Sequence, residues 1–437
     1  MLKKYLIELL SIASPMVIGN LGHVLTGATD VFVAAKHGID TLAAMAIANS
    51  IFFTLFIIGL GFLSGISIVL SNYRGEHKPT KKFFLSGIVL SQILALITWF
   101  FIYYIIVLIP KFGFEGQLCF LIQDYMFITS FSIFGIFLYQ AIKEFLQAHE
   151  IVQLPNYILL LAVILNLILN FLFVFGYGFI PPMGIEGLAY ATLLVRTILG
   201  LSMIIYTFKI IKNQRKNCFN KAYIKEVIKI GFPIGIGLLF ECLGFNIITI
   251  AIGRESGTLA AAQNILLTLI DITFMIPFAI SSAIAIKVGF YNGEKNMLEI
   301  KKYSQIGVLM SILFMSSCSL IFIFMPELFI GIFTKDIQIT KIALPVVPLF
   351  ALYEIADGMQ ISLGGVLKGL KMTKQVTLSV LSSYWLIGIP LGFYLAYCFK
   401  MSLKGFWFGL TASLFIIALL EGIILFKAIN KLKKSFQ

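Results

Sequence analysis

Apolar runs of roughly 20 to 30 residues recur along almost the whole chain, and they constrain its fold more than any other feature. Each run is long enough for a helix that crosses about 30 Å of hydrocarbon. Of the 437 residues, 59% are hydrophobic and only 12% are charged, which is far too apolar for a soluble protein of this size. The sequence therefore predicts an all-α integral membrane protein with twelve transmembrane helices.

The basic residues are concentrated in alternate loops between these runs, with the longest basic stretch at 211–229. By the positive-inside rule, both termini are expected in the cytoplasm and the helix count is even. The formal net charge of +13 then reflects topology and attraction to membrane lipids, and we expect no nucleic-acid partner. We predict an uncleaved, multi-pass protein of the plasma (inner) membrane.

The second half of the chain repeats the first. Motifs recur 217 or 218 positions apart, namely Ser14-Pro15 and Phe232-Pro233, LAAMA at 42–46 and LAAAQ at 259–263, RGEHK at 74–78 and NGEK at 292–295, and GLAY at 187–190 and GFWF at 405–408. The repeat predicts two pseudo-symmetric six-helix bundles, 1–212 and 225–437, joined by a cytoplasmic linker at 213–224. Parallel repeats of this kind are typical of transporters that bind their substrate between the halves.

Two carboxylates interrupt the apolar segment 345–373. On a helix, Tyr353, Asp357 and Gln360 share one face with Gly364, and Glu354 lies at the edge of that face. An acid near mid-membrane costs about 2.5 to 3.5 kcal/mol and usually faces a cavity or the bundle interior. The segment predicts an ion or substrate pathway, with a structural buried hydrogen bond as the alternative.

The first helix of each half carries a proline and an ionisable residue. Pro15 and Pro233 predict helix bends because each removes a backbone hydrogen bond. Glu241 follows Pro233 by eight residues, and in the repeat its position is equivalent to that of His23. The duplicated position is therefore ionisable in both halves.

Three further positions are candidates for a polar site in the first half. Asp30 shares a helical face with His23, and its alternative is a solvated helix end. Asn166 and Asn170 lie one turn apart, which favours either hydrogen bonds between helices or a polar lining.

Asp271 forms a polar seam with Asn264 and Thr268 on one helical face. A carboxylate close to the aromatic and thioether side chains that follow it suits a flat organic cation, and packing is the alternative. Lys143, Glu144 and Glu150 are interpreted as a solvated cytoplasmic helix end rather than a site.

Familiar catalytic motifs are missing from the sequence. There is no H-E-x-x-H, phosphate loop or G-x-S-x-G, and the five cysteines are scattered without a metal-like spacing. We predict no enzymatic activity and no cofactor. Transport would draw on an ion gradient, in which one charge crossing 100 mV is worth about 2.3 kcal/mol.

Taken together, several segments resemble the multidrug and toxic compound extrusion (MATE) transporters, NorM-like branch, over nearly the whole chain. The matching segments are Pro15 with Asp30, LAA at 42–44, NLILNFLFVFG at 166–176, GIEGLAYAT at 184–192, Glu241, LAAAQ at 259–263, KVG at 287–289, YEIADGMQ at 353–360, GGVLKGLKMT at 364–373 and YWLIGIPLG at 384–392.

The resemblance implies a V-shaped antiporter that exports organic cations and drugs in exchange for Na⁺ or H⁺ by alternating access. It implies a cation site of Glu241, Tyr353 and Asp357, with Na⁺ at the two carboxylates as one candidate. It also implies a first-half cluster of Asp30 with the two asparagines at 166 and 170. Asp271 and Gln360 are added as candidates for substrate or proton coupling, and we expect a monomer.

Four positions depart from the family pattern, namely Ala262, Asp271, Lys287 and Glu354. The extra acids leave the substrate and the ion stoichiometry open. A lipid-linked oligosaccharide flippase of similar fold is the nearest alternative, although the scarcity of basic residues inside the helices argues against it. A channel or a non-transporting membrane protein is the more distant alternative.

Overall fold

The computed structural model describes residues 2–114, 116–178, 180–211 and 219–436. Within them the fold is helical, with one isolated β-bridge between Tyr177 and Ile180. The helices are α1 (Leu2–His37), α2 (Ile39–Gly75), α3 (Phe84–Leu108), α4 (Gly116–Ser130), α5 (Ser132–Ala148), α6 (Gln153–Phe175), α7 (Ile185–Ile211), α8 (Lys221–Glu255), α9 (Gly257–Gly293), α10 (Met297–Phe324), α11 (Pro326–Phe333), α12 (Ile337–Ala343), α13 (Val347–Gly369), α14 (Thr373–Ser383), α15 (Ile389–Tyr397) and α16 (Leu403–Phe436).

Eleven helical stretches in the described residues are long and apolar enough to cross a membrane. A twelfth span is formed if α4 and α5, which are bent by 41° relative to each other, count as one. The prediction of twelve transmembrane helices is confirmed in this sense.

Side-chain caps begin several helices of the second half. Ser256 Oγ accepts a hydrogen bond from the Thr258 amide at the start of α9, and Asp336 accepts one from the Gln338 amide at 2.7 Å before α12. Such caps satisfy amide groups that have no partner inside the helix. They fix where these helices begin.

Contacts divide the chain into two compact units. The N-terminal unit is Pro15–Gly235, and the C-terminal unit combines Met1–Ser14 with Ile236–Gln437. The chain thus passes from one unit to the other inside α1 and again inside α8. Both helices continue through their prolines, Pro15 and Pro233, so the predicted bends stay predictions. Of the predicted linker at 213–224, residues 213–218 lie outside the described residues, and 221–224 form the first turn of α8.

In the N-terminal unit, α2 and the first half of α8 approach each other through glycines. A Cβ added to Gly61 would lie 2.3 Å from the Gly235 Cα, and one added to Gly231 would lie 2.1 Å from the Phe62 carbonyl oxygen. Only glycines allow two helix backbones to come this close.

In the C-terminal unit, α13 is the central helix and packs against α9, α10 and α16. Its neighbours include the fully buried Trp407, whose ring meets the rings of Phe350 and Tyr353 edge-on. Trp407 Nε1 donates to Gln263 Oε1 at 2.8 Å. This aromatic packing fixes the face of α13 that carries the acidic residues.

A short repeated motif begins α1 and α8. In the C-terminal unit, Glu8 accepts hydrogen bonds from the Tyr303 hydroxyl and from Lys287 Nζ. In the N-terminal unit, Glu226 accepts one from the Tyr73 hydroxyl. The repeat places Glu8 and Glu226 at equivalent positions, each three residues after a tyrosine. In both halves the glutamate near the start of the first helix therefore accepts a hydrogen bond from a tyrosine hydroxyl, although the two tyrosines lie at different positions of the repeat.

Candidate functional site

The C-terminal unit buries two acids of α13. Asp357 is 3% exposed and Glu354 is fully buried, beside the buried Tyr353. Thr273 Oγ1 of α9 donates to Glu354 Oε1 at 3.1 Å, whereas Glu354 Oε2 has no hydrogen-bond partner in the described residues. The side chain of Glu354, predicted at the edge of the polar face of the helix, is therefore inside the protein.

Glu241 of α8 belongs to the same cluster. The charged groups that interact with Asp357 are Glu241 and Glu354, which are both acids. Tyr353 interacts electrostatically with Asp357 and Glu241. The structure thus brings together the three residues predicted for a cation site and adds Glu354 to them.

Tyr384 is a further member that the sequence did not single out as a site residue. It begins a π-helical stretch, Tyr384–Gly388, between α14 and α15. Its side chain is 1% exposed and interacts with Glu241 and Asp357. The neighbouring Trp385 donates its indole N–H to the carbonyl of Phe240 at 3.1 Å, which ties this stretch to α8 next to Glu241. Single π-helical turns are frequent at functional sites, but their position is not visible in a hydrophobic pattern.

The chemistry of this cluster follows from its charges. Carboxylates that face one another in a low-dielectric interior cannot all be ionised without a cation, because each destabilises the charge of the others. Such a cluster takes up protons or a metal cation. In the described part of the chain, no group of three or more His, Cys, Asp or Glu residues is arranged to hold a metal ion. Na⁺ at Glu241 and Asp357 would therefore need further oxygen ligands, such as Tyr353, backbone carbonyls or water.

The remaining candidates of this half lie in different surroundings. Gln360 is buried on the same face of α13. Asp271, Asn264 and Thr268 are all exposed, and Asp271 is not among the charged groups that interact with Asp357. The structure therefore separates the polar seam of α9 from the buried acids.

The N-terminal unit contains the second predicted cluster. Asn170 Nδ2 donates to Asp30 Oδ1 at 2.7 Å and to Asn166 Oδ1 at 3.1 Å. Thr29 Oγ1 donates to the same oxygen of Asn166 at 2.5 Å. Asp30 is only 6% exposed, so the alternative of a solvated helix end is wrong. The two asparagines join α6 to α1 by hydrogen bonds between helices.

Asp30 also has a positively charged neighbour. Arg196 of α7 and the buried Tyr125 of α4 interact with it electrostatically. Arg196 donates to Ser132 Oγ at 2.9 Å and lies 4.8 Å from the centre of the Phe52 ring. The charge of Asp30 is therefore partly balanced by Arg196, whereas the charged groups that interact with Asp357 are acids.

Lys143 and Glu144 correct one interpretation of the sequence. They are 6% and 7% exposed, respectively, and Gln140 Nε2 donates to Glu144 Oε1 at 2.9 Å. This end of α5 is covered by neighbouring helices, so it is not a solvated terminus. Glu150, just beyond it, forms an ion pair with Arg74 at 2.8 Å.

Glu421 was missed altogether. It lies in α16 with no exposed surface, and neither carboxylate oxygen has a hydrogen-bond partner in the described residues. The charged groups that interact with it are Lys368 and Glu241. A lone acid in an apolar run next to a basic C-terminus was the only signal that could have indicated it.

Comparison with known proteins identifies the family. The MatE family model matches the chain twice, at residues 15–172 and 233–394, which are the equivalent parts of the two halves. A probable multidrug resistance protein NorM of Photorhabdus laumondii is 26% identical, over 96% of this chain and 94% of the relative. The multidrug resistance protein NorM of Aliivibrio fischeri is 25% identical, over 96% of this chain and 94% of the relative.

Solved structures share the fold. The crystal structure of the eukaryotic MATE transporter AtDTX14 has a TM-score of 0.87 at 19% identity and covers both chains completely. A MOP superfamily transporter from Pyrococcus furiosus has a TM-score of 0.88 at 16% identity, over 98% of this chain and 96% of that one. The buried acids and polar clusters thus lie in the fold of MATE transporters. The chain is a multi-pass membrane protein that belongs to the MatE family, the multidrug and toxic compound extrusion transporters.

Proposed function

We propose that the chain is a secondary active antiporter that exports organic cations and drugs from the cytoplasm in exchange for Na⁺ or H⁺. The relatives named multidrug resistance proteins support this substrate class. The observation that carries the proposal is the cluster of the buried Glu354 and Asp357 with the half-buried Glu241, in which the charged groups that interact with Asp357 are both acids. A cluster of this kind is stable only with a bound cation.

In this proposal, Glu241, Asp357 and Tyr353 bind the coupling cation. Two carboxylates and a phenol in a dry pocket replace much of the hydration shell of an ion. When the cation leaves, repulsion between the acids destabilises the empty cluster. That energy favours the opposite access state of an alternating-access cycle.

Asp30 is the proposed acid of the N-terminal unit that responds to substrate or proton. Asn170 and Asn166 hold its carboxylate in place, and Arg196 supplies a nearby positive charge. A cationic drug or a proton would compete with that internal cation for Asp30. Asp271, which is exposed on α9, is proposed to tune substrate choice, with Gln360 as a polar residue beside the cation site.

The proposal contains no catalytic step and no cofactor apart from the coupling ion. It places the protein in the plasma (inner) membrane as a monomer in contact with lipids, with both termini in the cytoplasm. The concentration of Lys and Arg in alternate loops supports this orientation.

Ethidium efflux from proteoliposomes under an imposed Na⁺ or pH gradient tests the proposal. Glu241→Gln and Asp357→Asn should each abolish gradient-driven efflux, because they remove a charge that the coupling cation needs. Glu327→Gln is the matched control, since it removes an exposed acid of the same unit. Normal coupled efflux in both buried-site variants would refute the proposal, and the gradient that drives the parent protein identifies the ion.

A further inference from the structure

Glu421 is a buried acid of the C-terminal unit that the proposed cation site does not use. It is fully buried in α16, and neither oxygen has a hydrogen-bond partner among the described residues. Burying a carboxylate in this way is strongly unfavourable unless it is paired. A purely structural role therefore leaves the position of Glu421 unexplained.

The carboxylate points at a gap on α13. A Cβ added to Gly364 would lie 3.5 Å from Glu421 Oε2 and 3.6 Å from Oε1. Because glycine has no side chain, the carboxylate occupies the space beside the α13 backbone at this level. Gly364 lies seven residues after Asp357, a rise of about 10 Å along the helix. Along α13, Glu421 thus lies about two helical turns from Asp357.

Polar positions continue along this face of α13. Asp357, Gln360, Gly364 and Lys368 follow one another at intervals of three or four residues, which places them on a single helical face. Lys368 interacts electrostatically with Glu421 and with Glu241. Within the described part of the chain, however, it forms no ion pair with either acid. Lys368 thus contributes a positive charge to this face of α13 without forming an ion pair with Glu421 or Glu241 in the described residues.

We propose that Glu421 is a second binding subsite for the coupling cation, and that Lys368 is the internal positive charge that balances Glu421 when this subsite is empty. The cation class is H⁺ or Na⁺, as for the first site. The inference rests on the proposed antiport function and extends it. A cation leaving Asp357 passes Gln360 and reaches Glu421, where it competes with Lys368.

This arrangement predicts opposite effects for the two partners. Glu421→Gln removes the ligand and should weaken the apparent affinity for the coupling cation by roughly tenfold, the lower end of what a supporting partner contributes to a cation site. Lys368→Met removes the competing charge and should tighten that affinity by a similar factor. In the double variant, Lys368→Met should no longer raise the affinity for the coupling cation, because the Glu421 carboxylate that binds the cation has been removed.

The measurements are ²²Na⁺ binding to the purified full-length protein and, if H⁺ is the coupling ion, the pH dependence of ethidium efflux from proteoliposomes. A monodisperse peak on size exclusion in detergent serves as the folding control, and Glu327→Gln as the charge control. Shifts of cation affinity in the same direction, or no shift in either variant, would overturn the inference.

The outcome separates this inference from the proposed function. If Glu241→Gln and Asp357→Asn abolish coupling while Glu421→Gln and Lys368→Met change nothing, only the second subsite is refuted. If Glu241→Gln and Asp357→Asn retain coupling, the proposed function itself fails.

Discussion

Gly61→Ala should destabilise the N-terminal unit, because the new methyl group has no space. It would lie 2.3 Å from the Gly235 Cα, 2.4 Å from the Gly235 nitrogen and 2.9 Å from the Ile234 carbonyl carbon. All three are backbone atoms, so no side chain can rotate away. Carbon atoms rest at about 3.5 to 4.0 Å from each other, and α2 and α8 would have to separate by about 1 Å.

The expected magnitude follows from this geometry. Overpacking a tight contact costs about 1 to 3 kcal/mol. Gly27→Ala is a matched control in α1 of the same unit, where nothing lies within 4 Å of the added Cβ. There the substitution should stabilise the helix by about 0.8 to 1.0 kcal/mol. The two variants, which differ from the parent by the same methyl group, should therefore shift stability in opposite directions.

Thermal unfolding in detergent, followed by the loss of monodisperse protein on size exclusion, measures both variants against the parent. Gly61→Ala should lower the melting temperature and Gly27→Ala should raise it slightly. An unchanged melting temperature in Gly61→Ala would show that the backbones of α2 and α8 are not in the close contact that only glycine allows. Equal shifts in both variants would show that helix propensity alone decides the result.

Three further predictions concern single side chains. Asp30→Asn should lose resistance to cationic drugs in a growth assay, because the carboxylate that attracts a cation is replaced by a neutral amide. Drug resistance equal to that of the parent would show that Asp30 has a structural role only. Asp271→Ser should reduce efflux of strongly cationic drugs at a fixed ion gradient and leave neutral ones unchanged, whereas a uniform loss would indicate packing. Burial lowers the pKa of His149, which lies just beyond α5, so the unfolded chain binds a proton more readily than the folded chain. The free energy of unfolding should therefore fall as the pH drops below about 6.5, the ordinary pKa of histidine. His149→Gln should flatten this dependence in melting curves between about pH 7 and pH 5, and an unchanged slope would contradict it.

Helical periodicity was sufficient to predict which polar residues share a face of one helix. The grouping of Tyr353 with Asp357 followed from the 3.6-residue period of α13. The cluster of Asp30 with Asn166 and Asn170 joins two helices by hydrogen bonds, and it was expected only from the resemblance to MATE transporters.

Burial at the ends of helices could not be predicted as well. Lys143 and Glu144 lie near the end of an apolar run, a place where charged side chains normally reach water, but neighbouring helices cover them here. Glu421 was missed for the same reason, because it lies between an apolar run and the basic C-terminal residues and neighbouring helices bury it. Whether a charge is buried depends on the packing of other helices, and periodicity along one helix carries no information on that packing.

The way the chain passes between its units has a consequence for how such a protein could arise and be divided. Residues 2–14 belong with the second half and 221–235 with the first, so a single repeat expressed alone would lack the segment that completes it. Two copies could complete each other only by exchanging these segments, as in a domain-swapped dimer. By the same reasoning, a chain cut between α7 and α8 yields two fragments that each hold part of both units. Co-expressed, the fragments should assemble into one transporter, whereas either fragment alone should remain incomplete.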